Sequence, residues 1–364
     1  MIERARRVMS SEYMLWARRD AQARFCLASS GVKSLPLTEL PVRVEELELN
    51  RDGTYGYGPL REALARKSGV DVEAVVTTEG TSMANHLAMA ATVAPGDEVL
   101  IEHPTYELLV RLAEYLGAEV KRFKRREEDG FRVDPEELAS TMSPRTRLIV
   151  LTNLHNPTSA LTSDETLERL AEIARGVGAH ILVDEVYLDA LFDGAPRSAF
   201  HLGAEFITTG SLTKVYGLGG LRCGWILAQP ALAQRVWRLN DLFGVNPAHP
   251  AERLSCLALR NLDSIAGRAR SILEANTVLL NSFFESREEL SWTAHRFGTV
   301  SFPRLKRGSV DDLVRLLSVK YETSVVPGKF FEMPQHFRIG IGCDSETLKE
   351  GLERLGLALE EVCR

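Results

Sequence analysis

Several features that would restrict the class of this protein are missing from its sequence. No stretch contains the roughly 18 consecutive apolar residues that identify a membrane-spanning helix. The basic N-terminus, Met-Ile-Glu-Arg-Ala-Arg-Arg, is not followed by the apolar run of a signal peptide. The five cysteines are odd in number, widely spaced and never arranged as Cys-x-x-Cys, which argues against a disulfide framework and a metal cluster. We therefore expect a cytoplasmic protein.

Charge of one sign is also scarce. The net charge is −6 over 364 residues, so there is no electrostatic reason to expect nucleic acid or an anionic membrane as a partner. Hydrophobic residues make up 45% and charged residues 26%, which is ordinary for a soluble globular protein long enough to form two domains. Small molecules are therefore the expected partners.

Between about residues 55 and 230, short β-rich runs alternate with segments of helical period. This alternation is typical of an α/β fold with a mostly parallel sheet sandwiched by helices. The seven predicted strands are Val75–Thr78, Glu98–Glu102, Glu119–Lys124, Arg147–Thr152, His180–Val186, Phe206–Ser211 and Cys223–Ala228. The predicted helices between them are Pro59–Lys67, Ser82–Val93, Tyr106–Leu116 and Ser163–Arg175, the last with Ser163 as its N-cap.

The pattern changes in the last third of the chain. Residues 264–286 predict one long helix that links the large domain to a smaller α+β domain. From His295 the pattern indicates strand, helix, strand, strand and helix, at Thr299–Pro303, Val310–Val319, Val325–Val326, Phe337–Gly342 and Ser345–Glu361. A piece of this size has little core of its own, so we expect the N-terminal segment to pack with it. The predicted divisions are residues 1–50, 51–262 and 263–364.

The most informative stretch is Ser-Leu-Thr-Lys-Val-Tyr-Gly-Leu-Gly-Gly-Leu-Arg, residues 211–222. Here Lys214 is framed by the hydroxyls of Ser211 and Thr213 and followed by a glycine-rich turn and Arg222. The lysine can offer an amine to an aldehyde while its neighbours hold a phosphate dianion, which are the requirements of pyridoxal phosphate. Most isolated lysines in glycine-rich turns are ordinary loop residues, so this interpretation depends on the rest of the chain.

The stretch resembles the Schiff-base lysine motif of the fold-type I, pyridoxal-phosphate-dependent class I/II aminotransferases, Ser-x-[Ser/Thr]-Lys-x-x-x-x-x-Gly-x-Arg. Further matches follow in family order from about Tyr55 to Gly342. The resemblance implies that Lys214 binds pyridoxal 5'-phosphate as a Schiff base. It also implies a homodimer whose active sites form at the subunit boundary.

Three polar residues at the ends of two predicted strands fit the cofactor's ring. Asp184 ends an apolar strand, where open α/β sheets bind ligands, and a carboxylate there can keep the pyridine nitrogen protonated. By resemblance, Tyr187 and Asn156 contact the phenolic oxygen, and such contacts tune the pKa of the Schiff base. The family usually has glycine in the Asn-Pro-Thr-Gly turn where this chain has Ser159.

A candidate phosphate cup lies where residues 79–85 join a strand to a helix, since free backbone N–H groups and the helix dipole meet there. Thr81 and Ser82 match the family's cup positions, and Ser211 with Arg222 would complete the cup. Helix capping explains the Gly-Thr-Ser turn equally well.

The resemblance also assigns an aromatic residue and two substrate contacts. Tyr106 matches the aromatic side chain that stacks on the pyridine ring. Arg338, in Phe-Arg-Ile-Gly, matches the arginine that binds the substrate α-carboxylate, and an arginine in an apolar strand is costly unless it is paired. Gly31 lies in Ala28-Ser-Ser-Gly-Val32, which is either the N-terminal substrate loop or an ordinary turn.

The function implied is transamination between an L-amino acid and a 2-oxo acid by a ping-pong mechanism, with Lys214 moving the proton. A lyase, decarboxylase, cyclase or oxidase on the same scaffold is the alternative. A cofactor-sensing module is disfavoured because nothing before Tyr55 has room for a basic DNA-binding domain. A dehydrogenase is disfavoured because no Gly-x-Gly-x-x-Gly lies between a first strand and its helix.

The substrate and the contacts between subunits are less defined. Residues 55–64 resemble the family block that supplies a tyrosine to the phosphate of the partner subunit's cofactor, and either Tyr55 or Tyr57, or neither, has this role. By resemblance, relatives specific for dicarboxylates usually add a second arginine from the partner subunit. The comparable residues here, 246–250, contain His249 but no arginine, which weakly disfavours aspartate as the amino donor.

Overall fold

The computed structural model describes residues 10–294 and 296–364. The basic N-terminal heptad and His295 lie outside the described residues. The helices are α1 (Glu12–Arg19), α2 (Gly58–Ser68), α3 (Gly80–Thr92), α4 (Glu107–Tyr115), α5 (Pro135–Thr141), α6 (Asp164–Arg175), α7 (Pro230–Asn240), α8 (His249–Arg260), α9 (Leu262–Glu285), α10 (Val310–Tyr321) and α11 (Ser345–Val362).

The strands run in two groups along the chain. Those before residue 230 are β1 (Phe25–Cys26), β2 (Val75–Glu79), β3 (Glu98–His103), β4 (Glu119–Lys124), β5 (Thr146–Thr152), β6 (His180–Asp184), β7 (Phe206–Ser211) and β8 (Cys223–Leu227). Those after it are β9 (Leu290–Ser291), β10 (Val300–Ser301), β11 (Arg304–Leu305), β12 (Thr323–Ser324), β13 (Val326–Pro327) and β14 (Phe337–Gly340).

A seven-stranded sheet of order β2-β8-β7-β6-β5-β3-β4 forms the centre of the molecule. Strands β3 to β7 pair in parallel, whereas β8 is antiparallel to both β2 and β7. This arrangement confirms the predicted α/β fold with its mostly parallel sheet, and the predicted strand bounds differ from the observed ones by no more than two residues.

Helices cover both faces of this sheet. Along β5, Leu148 and Val150 pack on the face covered by α3, α4 and α7, whereas Ile149 and Leu151 pack on the face covered by α5 and α6. Successive strand residues point to opposite faces, so a strand covered on both sides is apolar throughout. Full burial of each such side chain contributes about 1.5–3 kcal/mol.

The C-terminal elements form a smaller α+β unit together with the N-terminal segment. Strands β10, β14 and β13 make an antiparallel sheet, and α10 and α11 pack against each other beside it. Strand β1 pairs in parallel with β12, where Phe25 faces Thr323. The N-terminal segment thus packs with the smaller unit, as expected. The predicted strand at Val325–Val326 is in fact two short strands, because β12 pairs with β1 and β13 pairs with β14.

Within the described part of the chain, none of the helices has the length and apolar character needed to cross a bilayer.

Candidate active site

A cavity of about 940 Å³ opens at the carboxyl edge of the central sheet, beyond the ends of β5, β6 and β7. This is the edge at which open α/β sheets bind ligands. All the residues predicted to bind the cofactor line this cavity, namely Thr81, Ser82, Tyr106, Asn156, Asp184, Tyr187, Ser211, Lys214 and Arg222. Segments that are far apart in the sequence therefore meet at one cavity.

Lys214 follows the end of β7 and presents its amine inside the cavity. Its Nζ donates a hydrogen bond to Ser30 Oγ at 3.0 Å, and its backbone oxygen accepts one from the Val32 amide at 2.7 Å. Burial is the main cause that lowers the pKa of the Lys214 amine. The lowered pKa favours the neutral amine, which is the form that attacks an aldehyde.

Asp184 stands at the end of β6 with its carboxylate held on both oxygens. Oδ2 accepts from Asn85 Nδ2 at 2.8 Å and Oδ1 accepts from the Val186 amide at 3.1 Å, while Asn85 Oδ1 accepts from Thr209 Oγ1 at 2.7 Å. Burial raises the pKa of Asp184 to about 6 in spite of these hydrogen bonds. A protonated pyridine nitrogen would supply the positive charge that favours the ionised carboxylate.

The predicted phosphate cup lies at the start of α3. Thr81 and Ser82 occupy the first turn, where backbone N–H groups lack helical partners. Thr81 Oγ1 and, nearby in the cavity lining, Thr213 Oγ1 are buried without a hydrogen-bond partner among the described residues. Unpaired buried hydroxyls next to free amides fit a phosphate, whose oxygens accept several hydrogen bonds.

Arg222 lies across the same helix start and brings a positive charge to it. Its guanidinium donates to the backbone oxygens of Glu79 at 3.2 Å and Gly219 at 3.3 Å, which are neutral acceptors. A Cβ at Gly80 would collide with this guanidinium, and a Cβ at Gly224 would collide with Gly80. Glycine at these two positions therefore lets Arg222 approach the start of α3.

Tyr187 and Asn156 face the same part of the cavity. The Tyr187 hydroxyl donates to Ser30 Oγ at 2.8 Å, and Asn156 Oδ1 accepts from Arg338 Nη1 at 2.9 Å. Burial raises the pKa of the Tyr187 hydroxyl, so the neutral phenol is the donor at neutral pH. Both side chains can donate a hydrogen bond toward a ligand oxygen.

Ser159, which stands where the family usually has glycine, adopts a backbone conformation that glycine favours. Its φ is 61°, in the left-handed region that glycine favours. The Ser159 hydroxyl donates to the Val300 backbone oxygen at 2.7 Å, which fixes the turn to β10. The departure from the family pattern therefore adds a side-chain contact between the turn and the smaller unit.

Arg338 lies in β14 and is only 1% exposed. Besides Asn156, its guanidinium donates to the Tyr13 hydroxyl at 3.0 Å and to the Ala28 backbone oxygen at 3.1 Å, and its Nε has no partner among the described residues. All three acceptors are uncharged, and a buried cation without an anion is costly. Among its described partners, Arg338 therefore has no counter-ion.

Neither predicted substrate residue lines the cavity directly. Arg338 lies behind Tyr13 and Asn156, which do line it, and Gly31 lies against the backbone of Lys214. Among residues 28–32, it is Ala28, Ser29 and Ser30 that border the cavity.

The predicted aromatic residues have different surroundings. Tyr106 is the N-cap residue of α4, lines the cavity and meets Tyr13 edge to face, with ring centroids 5.5 Å apart. Tyr55 instead donates to Asp241 at 2.8 Å, and Tyr57 packs edge to face on His249 at 4.8 Å. Neither Tyr55 nor Tyr57 is among the residues that line the cavity of their own chain.

Sequence reasoning missed three residues of this site, namely Tyr13, Ser30 and Asn85. Ser30 and Asn85 lie inside stretches already singled out, one residue from Gly31 and three from Ser82. Tyr13 lies in α1, and its tertiary contacts with Arg338 and Tyr106 identify it.

An α/β fold with a half-buried lysine, a buried carboxylate and unpartnered hydroxyls beside a helix start at one sheet edge is typical of pyridoxal-phosphate-binding enzymes. The family model for aminotransferase class I and II matches residues 47–355. The chain belongs to this family, and its cofactor is pyridoxal phosphate.

Three similar proteins extend the comparison. Capreomycidine synthase from Streptomyces vinaceus is 32% identical over 351 residues, which cover 93% of this chain and 90% of that protein. A PLP-dependent aminotransferase from Streptococcus suis 89-1591 superposes with a TM-score of 0.92 at 29% identity, covering 98% of this chain and 99% of that one. The PLP-dependent cyclase OrfR superposes with a TM-score of 0.87 at 26% identity, covering 99% and 100%.

Proposed function

We propose that the protein moves an amino group between an L-amino acid and a 2-oxo acid with pyridoxal phosphate as cofactor. The observation that carries the proposal is the position of two basic side chains at one site. Lys214 presents an amine of lowered pKa inside the cavity, and Arg338, directly behind the cavity lining, is bonded to Asn156 and has no anion among its described partners. An amine in the cavity and a guanidinium behind its lining suit the two ends of an α-amino acid.

The residues around the cavity divide by the part of the cofactor that they would hold. We assign Thr81, Ser82, Ser211 and Arg222 to the phosphate, Asp184 to the ring nitrogen, Asn156 and Tyr187 to the phenolic oxygen, and Tyr106 to the ring face. When bound, the cofactor supplies an aldehyde for the amine and an electron-withdrawing ring that stabilises negative charge at the substrate α-carbon. The hydroxyls of Thr81, at the start of α3, and of Thr213, beside Lys214, have no hydrogen-bond partner among the described residues and support the phosphate assignment.

The chain's own contribution to the chemistry is proton transfer and orientation. Lys214 would bind the cofactor through its amine and, once released, would take the proton from the substrate α-carbon and deliver it to the cofactor carbon that had carried the aldehyde. Arg338 fixes the α-carboxylate with parallel hydrogen bonds, which holds the α-carbon within reach of Lys214. We infer two half-reactions with ping-pong kinetics.

A cyclase is the second candidate function. The likeness to capreomycidine synthase and to OrfR favours it. The same proton abstraction begins either reaction, and the fold does not choose the later course.

The two candidates differ in their products. The purified holoprotein would be incubated with a panel of amino acids, first alone and then with 2-oxo acids, and products identified by mass spectrometry. Transamination predicts a new 2-oxo acid and, after the second substrate, a new amino acid. Formation of a cyclised product, or release of ammonia, without transfer of the amino group to the oxo acid would contradict transamination. A cyclised product would support the cyclase. Lys214→Ala is the matched control for background chemistry.

We also propose a homodimer. Leu242, Phe243 and Val245 expose 77%, 49% and 53% of their surfaces beside Tyr55, which bonds Asp241. Such a patch supports burial against a second subunit. Tyr55 is more exposed than Tyr57 and is thus the better placed of the two to contact the partner's cofactor. Sedimentation equilibrium would test the dimer.

A cytoplasmic location is proposed from the cysteine pattern alone.

A further inference from the structure

The hydroxyl of Ser30 lies between two reactive side chains. Ser30 Oγ accepts a hydrogen bond from Lys214 Nζ at 3.0 Å and another from the Tyr187 hydroxyl at 2.8 Å. Ser30 is 7% exposed, so water competes little for these contacts. One hydroxyl therefore connects the amine of Lys214 with the phenol of Tyr187.

The backbone around Ser30 is held from both sides. The Val32 amide donates to the Lys214 backbone oxygen at 2.7 Å, and Thr299 Oγ1 donates to the Ser30 backbone oxygen at 2.8 Å. A Cβ at Gly31 would lie 3.3 Å from the Lys214 backbone oxygen, which is tighter than most such contacts. Glycine at this position lets the loop approach, so the place of Ser30 does not depend on its own hydroxyl.

We propose that Ser30 positions the free amine of Lys214 and passes a proton between that amine and Tyr187. This inference rests on the proposed role of Lys214 as the reactive amine and adds a residue to it. In the transfer, the Tyr187 O–H bond breaks as Ser30 Oγ gains its proton, and the original hydroxyl proton of Ser30 moves to the Lys214 amine. Phenol and neutral amine become phenolate and ammonium, the reverse step restores them, and no electrons are exchanged with another group.

The other titratable groups around the amine have opposite effects on its pKa. Tyr13 from α1 and Asp184 from β6 favour the ammonium, whereas Arg338 from β14 and Arg222 from the turn before β8 disfavour it. These groups do not accept a hydrogen bond from Nζ among the described contacts, whereas Ser30 does. A local change at Ser30 should therefore be visible in the titration of Lys214.

The test measures the pKa of the Lys214 amine in the cofactor-free protein, from the pH dependence of its acylation followed by peptide mass spectrometry. Ser30→Ala removes an acceptor for the ammonium and should lower this pKa by about one unit. Ser30→Thr keeps a hydroxyl and should restore the wild-type value. Ser34→Ala, at an exposed serine of the same segment, should change nothing.

A second readout tests the transfer itself. In the holoenzyme, Ser30→Ala should lower kcat about tenfold with little change in KM. In a Tyr187→Phe background, the same substitution should lower kcat much less, because the proton transfer between Lys214 and Tyr187 is already interrupted. Independent, additive losses would overturn the proton transfer, and an unchanged Lys214 pKa would overturn the positioning role.

Melting curves identify a folding defect, and Ser30→Gly provides a second variant without the hydroxyl. Because acylation needs no turnover, its result is independent of whether the proposed reaction is correct.

Discussion

The cofactor half and the substrate half of the candidate site are assembled in different ways. In the cofactor half, the carboxylate of Asp184 is held by Asn85, which Thr209 holds in turn, and all three belong to the central sheet or to α3. In the substrate half, Arg338 is held by Tyr13 and the Ala28 backbone from the N-terminal segment. The carboxylate of the cofactor half is thus held within one layered unit, whereas the guanidinium of the substrate half is held by contacts between distant parts of the chain.

This difference predicts separable effects of mutation. Changes in the cofactor half should alter cofactor binding and chemistry together, because the same groups do both. Changes in the substrate half should alter substrate affinity while the cofactor stays bound.

The largest effect is expected from Lys214→Ala. Loss of the amine removes both the covalent anchor and the proton-transfer group, and general acid–base catalysis alone contributes on the order of 10²–10⁴-fold. We expect no measurable turnover and no cofactor absorbance in the visible after gel filtration, with an unchanged circular dichroism spectrum. Turnover above background by the purified variant would refute the assignment.

Arg338→Ala should divide the two halves most clearly. Hydrogen bonds to a charged group contribute about 1.5–3 kcal/mol, so KM for the amino acid should rise roughly 10–100-fold. Cofactor affinity, measured by fluorescence titration, should change much less. Arg338→Lys is the matched control that keeps the charge but not the paired donors. Equal losses of substrate and cofactor affinity would indicate a structural role for Arg338.

Asp184→Asn should alter the pH dependence of stability in the cofactor-free protein. The folded pKa is raised from 3.8 to about 6, so the folded state binds the proton more tightly than the unfolded chain does. Stability from this group is therefore present at low pH and is lost as pH rises, by about 3 kcal/mol between about pH 4 and pH 6. Urea unfolding at stepped pH should show this loss in the wild type and not in the variant. Parallel profiles would contradict the raised pKa.

Ser159→Gly should have the smallest effect. Glycine relieves a left-handed conformation that costs other residues about 1–2 kcal/mol, but the substitution removes the hydrogen bond to Val300, which contributes about 0.5–1.5 kcal/mol. The two terms nearly cancel, so the unfolding free energy should shift by less than about 1 kcal/mol. A larger loss in urea unfolding would show that the Ser159 hydroxyl anchors the turn more strongly than this comparison allows.

The two halves also differ in how far the sequence predicted them. The strands of the central sheet were predictable because burial on both faces makes them continuous apolar runs between turn signals. Lys214, Asp184 and Asn156 stand in local motifs at strand ends. The contacts of Arg338 with Tyr13 and of Ser30 with Lys214 join residues 325 and 184 positions apart, and no local pattern encodes such a pair.

Several missed elements have physical explanations. Helices α1 and α5 contain only 8 and 7 residues, which is too short for a clear helical period. The strands of the smaller unit are mostly two residues long and are defined by their partners rather than by alternation. Helices α7 and α8 each have proline near their first position, a start signal that the sequence did contain.

The most direct test of the central claim is to locate the cofactor on the chain. The holoprotein would be reduced with borohydride, digested, and searched by mass spectrometry for the peptide that carries the reduced cofactor. The account predicts a single modified peptide, with the modification on Lys214. Modification of a different lysine, or none in a protein loaded with pyridoxal phosphate, would contradict it.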